Sequence, residues 1–133
     1  MTESVPQRCE RTWKDGERRP GVAQFGMNPK PEGVSDESFY YEWQVVHSKL
    51  SFALHPLRQS YVRNAVARRL TPEAPPHRAI VIEHFEAIDA FTDDARYFGG
   101  PEVLKEMIEH APTFYPFEES FTGPTSEWEW SRR

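Results

Sequence analysis

Residues 35–54, SDESFYYEWQVVHSKLSFAL, decide how this chain is read. Phe39, Trp43, Val46, Leu50 and Ala53 recur at three- and four-residue steps, the spacing that lines one side of an α-helix. Ser35 stands where an N-cap belongs, and Asp36 and Glu37 occupy the first turn, where the helix dipole favours negative charge. The helix is expected to stop at His55-Pro56, because a residue before proline leaves the α region. His47 falls four residues after Trp43 and three before Leu50, on the apolar side. An imidazole that titrates near neutrality, held against an apolar wall, is a candidate proton carrier.

Working outward, Gly21 to Met27 reads as a short strand closed by a dense turn signal, Asn28-Pro29-Lys30-Pro31 and Glu32-Gly33. Gln59 to Arg69 alternates as a second strand, with Val62, Asn64 and Val66 on one side and Tyr61, Arg63 and Ala65 on the other. A proline-rich connection, Thr71 to His77, leads to Arg78–Ala87, the most β-branched strand of the sequence. Ile88 to Phe98 reads as an irregular helical piece. Pro101 opens a second main helix whose apolar side is Val103, Leu104, Met107, Ile108 and Ala111. Glu119 to Trp130 is expected to hold a last strand or two, broken at Gly123-Pro124, with Trp128 and Trp130 on one face. Residues 1–20 are polar and without periodicity, an N-terminal arm before a domain spanning 21–133.

The order β-α-β-β-α-β predicts an α+β fold of the ferredoxin-like, split βαβ kind: an antiparallel sheet with both helices on one face. The other face is left bare, and a half-apolar bare face commonly meets a copy of itself, so a homodimer is expected.

Composition bounds the function. With 133 residues there is room for one core, and an aromatic fraction of 14% supplies large buried areas despite a hydrophobic fraction of 38%. The net charge is −5, there is no long Lys/Arg run and the basic clusters are only short pairs, which argues against a nucleic-acid partner. No apolar run approaches a membrane span and no signal-peptide core precedes the domain, so neither membrane nor export is expected. The single cysteine, Cys9, fits a reducing cytoplasm and lies in the arm, a poor place for a nucleophile. Gly99-Gly100 lacks the rest of any phosphate-binding loop, and there is no nucleophile elbow and no cysteine pair. No cofactor and no metal is therefore expected. Glu102, Glu106 and His110 share a helix face, but ligands strung along one helix reach a single ion poorly, and a solvated face is the plainer reading.

Three segments, SDESFYYEWQVVHSKL, LRQSYVRNAV and HAPTFYPFEES, resemble the EthD group of dimeric α/β barrel proteins. In that group a helix with an aromatic, a Trp and a His precedes a Tyr-x-x-Asn strand, here Tyr61 to Asn64. A late Phe-aromatic-x-x-Glu patch leads into the last strand, here Phe114 to Glu118. The resemblance spans about Gly21 to Trp130. It implies a dimeric barrel with pockets between helices and sheet, and a superfamily that includes cyclases, lyases and cofactor-free monooxygenases. The chain departs from the pattern at His47-Ser48-Lys49-Leu50, where the group has His-Ala-Pro-Leu. It departs again at His84-Phe85-Glu86, where the group has Trp-Phe-Asp, and in its leading arm.

The candidate catalytic residues are His47 and His84. His84 lies in phase with Ile80 and Ile82, and serves as partner acid or orients a substrate oxygen; a half-buried strand-end histidine is the ordinary alternative. Tyr40 and Trp43 are candidates for an aromatic substrate wall. Tyr61 with Arg63, or alternatively Asn64, are candidates to hydrogen-bond an enolate or phenolate; alternation lets only one of these sets face a pocket. The expected activity is cofactor-independent, His-mediated proton transfer on a small hydrophobic aromatic or polyketide-like carbonyl compound, giving a lyase, dehydration or cyclisation step. The alternatives are a cofactor-free monooxygenase, or a non-catalytic dimeric accessory protein that binds a metabolite.

Overall fold

The computed structural model describes residues 1–131 and is α+β. Five antiparallel strands, β1 (Thr2–Gln7), β2 (Val22–Pro29), β3 (Ser60–Ala65), β4 (His77–Phe85) and β5 (Phe121–Thr125), form one sheet in the order β1-β3-β4-β2-β5. The first and third of the last four strands, β2 and β4, lie side by side with the second and fourth outside them, consistent with a ferredoxin-like arrangement. Register fixes the two faces. Val62, Ile82, Phe25 and Gly123 form one cross-strand row and Asn64, Ile80, Met27 and Phe121 the next, all on the face away from the helices. Tyr61, Arg63, Ala79, Val81, Glu83, Gln24, Gly26 and Asn28 point the other way, toward the helices.

The helical stretch begins where the capping residues place it: Ser35 Oγ accepts from the Ser38 N–H at 3.1 Å, and α1 runs Asp36–Tyr41. It then widens to a π-helical segment, Glu42–His47, before α2, Ser48–Leu54. Two side chains take carbonyls out of the ordinary ladder there. The Ser48 hydroxyl donates to Trp43 O at 3.2 Å, and Arg63 Nη1 donates to Gln44 O at 2.9 Å. Phe39 and Trp43 pack with Ala79 and Phe114 as the buried core. Beyond β4 come α3 (Asp89–Thr92), α4 (Asp94–Tyr97) and α5 (Pro101–His110), with Pro101 in the first turn of α5. No helix among the described residues is long and apolar enough to cross a membrane.

The segment read as an arm is built into the sheet. Thr2–Gln7 pairs with β3 as an edge strand, and it shows no hydrophobic alternation because polar side chains anchor it: Arg63 Nε donates to Ser4 Oγ at 3.2 Å and Gln7 Nε2 donates to Arg58 O at 2.6 Å. The rest of the arm docks on the C-terminal segment through Arg19, whose backbone N–H meets Glu127 O at 2.9 Å. Gly21 closes this corner at φ +95°, and a Cβ there would lie 2.3 Å from Phe85 O. Gly123-Pro124 does not break the last strand: both sit inside β5, at the sheet edge, where a missing N–H is tolerated. Trp128 makes only an isolated bridge to Arg18, and Trp128 and Trp130 are exposed.

Candidate functional site

Between the helices and the inner sheet face lies a cavity of about 260 Å³. Its walls come from β2 to β5, the π-helical segment, α5 and the Phe114–Phe117 turn. The lining is mainly apolar and aromatic: Trp43, Tyr61, Phe98, Met107, Phe114 and Tyr115 frame it. Gly26 keeps the sheet wall flat, since a Cβ there would press on Val81 at 2.9 Å. A space lined this way, with a few converging polar groups, is the usual form of a small-molecule site.

His47 is one of those polar groups. The wide turn brings it onto the cavity, 7% exposed, with its ring centroid 4.4 Å from Phe114 and stacked at 5.9 Å on His110. Its Nδ1 is fully buried without a hydrogen-bond partner. A proton on Nδ1 would be a sealed donor with no acceptor, so the favoured tautomer carries it on Nε2, the nitrogen left to a ligand. Burial, followed by the charges of His55, His110, Arg58 and Arg63, lowers the His47 pKa to about 3. The ring is therefore neutral across the physiological range.

At the opposite end sits a buried polar group that the sequence analysis missed. Arg58 Nη1 meets Glu83 Oε1 at 2.6 Å, and Tyr97 OH donates to Glu83 Oε2 at 3.1 Å. Arg58 also donates to Gln7 Oε1 at 3.0 Å and Ser51 Oγ at 3.1 Å, and lies over the Tyr61 ring at 4.3 Å. His55 stacks on Tyr97 and bonds its carbonyl through Nδ1 at 3.1 Å; burial lowers its pKa. Burial likewise pushes the Tyr61 and Tyr97 hydroxyls up, so both stay protonated. Glu83 had one legible signal: a carboxylate in the middle of an apolar strand, out of phase with Ile80 and Ile82.

Of the sequence-predicted residues, His47, Trp43 and Tyr61 come together on the cavity. The alternation on β3 resolves to Tyr61 with Arg63 facing the helices, and Asn64 pointing to the other face beside Ile80. Tyr40 stays outside the cavity: its OH donates to Val66 O at 3.1 Å and accepts from Arg78. His84 also lies on the far face, almost fully buried. Its Nδ1 meets Glu127 Oε2 at 2.6 Å and its Nε2 meets Pro20 O at 2.7 Å, so both ring nitrogens are committed to tying the arm to the C-terminal segment. Burial alone would raise the Glu127 carboxyl, but His84 and Arg19 hold it below the usual range. Glu102, Glu106 and His110 form no metal-holding group, and none of three or more such side chains occurs among the described residues.

Fold and cavity thus define an α+β protein with a helix-covered aromatic pocket. No family model and no curated protein matches the chain.

Proposed function

We propose that this protein binds and transforms a small, flat, hydrophobic carbonyl or phenolic compound in the cavity, with His47 as the group that handles the reacting oxygen and proton. The observation that carries this is an imidazole with one nitrogen sealed and unpartnered, held by a widened turn on the wall of an aromatic cavity. Size supports the substrate class. A cavity of about 150 Å³ accommodates benzene, so one of about 260 Å³ suits roughly ten to twelve non-hydrogen atoms. The neutral ring donates from Nε2 to a carbonyl or phenolic oxygen and so stabilises the negative charge that develops there. A lyase, dehydration or cyclisation step passes through an enolate-like state that such a donor stabilises. The strand order and the three segments quoted above support kinship with the EthD group, and a cytoplasmic setting suits the lone Cys9.

Replacing His47 with Gln is expected to cut turnover of an accepted substrate by about 100-fold or more, the usual worth of a positioned acid–base group. Ligand affinity should change far less. Unchanged turnover would reject His47 as the catalytic group, whereas a wild type that binds the ligand without turning it over would assign the cavity to binding alone. That second reading has its own support, because a ring with a pKa near 3 is a weak base until a ligand arrives.

The same proposal includes a homodimer formed through the outer sheet face, where Phe25, Met27, Val62, Ile80 and Ile82 are half-exposed and Phe121 is 53% exposed. Sedimentation equilibrium is expected to give twice the chain mass for the wild type and a single chain mass for Ile82→Lys. A monomeric wild type would refute the dimer.

A further inference from the structure

The sheet wall of the cavity carries an amide that the packing leaves half used. Asn28 stands near the end of β2, lines the cavity and is only 3% exposed. Its Nδ2 donates to Pro29 O at 3.1 Å and to Phe114 O at 3.0 Å. Both partners are carbonyl oxygens, which only accept, so the amide cannot be turned the other way round. Oδ1 is thereby fixed as the remaining atom, and no donor among the described residues reaches it. Nor is it sealed: the buried side-chain atoms without a partner include Gln24 Oε1 and His47 Nδ1, but not Asn28 Oδ1. The little surface left to this side chain therefore includes an acceptor on the cavity wall. A ligand that fills the cavity strips solvent from that oxygen, and one without a donor leaves it unpaired.

We propose that Asn28 Oδ1 is a specificity contact, and that the ligand carries a ring hydroxyl which donates to it. This rests on the reading of the cavity given above and narrows its substrate class to hydroxylated aromatic carbonyl compounds. Geometry places the contact. Gly26 precedes Asn28 on the same face of β2, about 7 Å away along the strand, and its missing side chain leaves a flat bed for a ring. A ring resting on Gly26 brings a substituent to Asn28. The carbonyl that Asn28 holds belongs to Phe114, whose ring lies 4.4 Å from the His47 ring, so the amide and the imidazole share one end of the cavity. There His47 Nε2–H donates and Asn28 Oδ1 accepts. Such a pair suits a ligand that bears both an acceptor and a donor oxygen, and disfavours a simple aryl ketone. The opposite end makes no such demand, because Glu83 is already matched by Arg58 and Tyr97.

The probes are 4-hydroxyacetophenone and 4-fluoroacetophenone, which match in non-hydrogen atoms and differ in the donor. Titrated into the intact protein at a pH that keeps the phenol protonated, the hydroxyl compound is expected to bind about tenfold or more tightly, although the fluoro compound is the more hydrophobic. Nuclear Overhauser contacts should run from the ring protons beside the hydroxyl to the Asn28 side-chain amide. Asn28→Leu should bring the two affinities together, mainly by weakening the hydroxyl compound. If Asn28→Leu fails to fold, because Phe114 O and Pro29 O lose their donor, the wild-type preference decides the ligand class and the Overhauser contacts decide the residue. Equal binding of both probes to the wild type overturns the hydroxyl proposal and leaves the cavity reading standing. A preference kept in folded Asn28→Leu, or hydroxyl-side contacts to Tyr97 instead of Asn28, overturns the role of Asn28. Failure of both probes to bind the wild type overturns the cavity reading and this inference together.

Discussion

Arg58→Ala is expected to destabilise the protein by about 3–5 kcal/mol, because it strands Glu83 as an uncompensated charge in the cavity wall. The Arg58 side chain is fully buried, and Glu83 nearly so, at 0% and 9% exposure. The loss goes beyond one ion pair. Arg58 also fastens the edge strand through Gln7, the helix through Ser51 and the Tyr61 ring, so its removal unties three elements. Set against a total stability of about 5–15 kcal/mol for an ordinary domain, this substitution threatens the fold itself. Glu83→Gln should cost less, since its amide oxygen still accepts from Arg58 while the Tyr97 hydroxyl turns to accept from the amide NH2. The paired change Arg58→Met with Glu83→Leu should recover most of the loss, as hydrophobic replacements of buried ion pairs often do. Urea denaturation of Arg58→Met, Glu83→Leu and the paired variant gives the coupling energy. A loss below about 1 kcal/mol for Arg58→Ala would mean that water entering the cavity solvates Glu83, as it does at exposed pairs.

That network shows where the sequence stops being informative. The first long helix was legible because its apolar steps, its cap and its terminating proline agree. The widening at Glu42–His47 was not, since it depends on Arg63 reaching from another strand to take the Gln44 carbonyl. Ser48 in mid-helix is the only local hint. Phase on β4 correctly grouped His84 with Ile80 and Ile82, but both faces of that strand are apolar, so phase alone did not say which one meets the helices. Glu83, the out-of-phase residue, is the one on the cavity. The edge strand β1 left no periodic trace because its side chains are held by hydrogen bonds instead of by core packing, and Pro6 is tolerated within it. Of the candidate site, His47 and Trp43 could be placed from spacing, whereas alternation on β3 left Tyr61 with Arg63 and Asn64 as alternatives until the register decided between them. Arg58, Glu83 and Tyr97 converge only through tertiary contacts between distant segments.

Acid should undo this protein earlier than its exposed carboxylates alone would dictate, and His47 should be a main reason. An unfolded chain offers an imidazole of ordinary pKa, near 6.5, whereas burial holds the native ring near 3. Between those values the unfolded state binds one proton more than the native state, so stability falls as pH falls, by about 1.4 kcal/mol per pH unit for this one group. At pH 4.5 the accumulated loss is about 2–3 kcal/mol relative to pH 7. His55, also lowered chiefly by burial, adds in the same direction. Urea midpoints measured from pH 7 to 4.5 should therefore drop steeply in the wild type and less steeply in His47→Gln, which has no proton to take up. Parallel slopes in wild type and His47→Gln would show that the native ring titrates as freely as the unfolded one, and the sealed, neutral imidazole on which the functional reading depends would not exist.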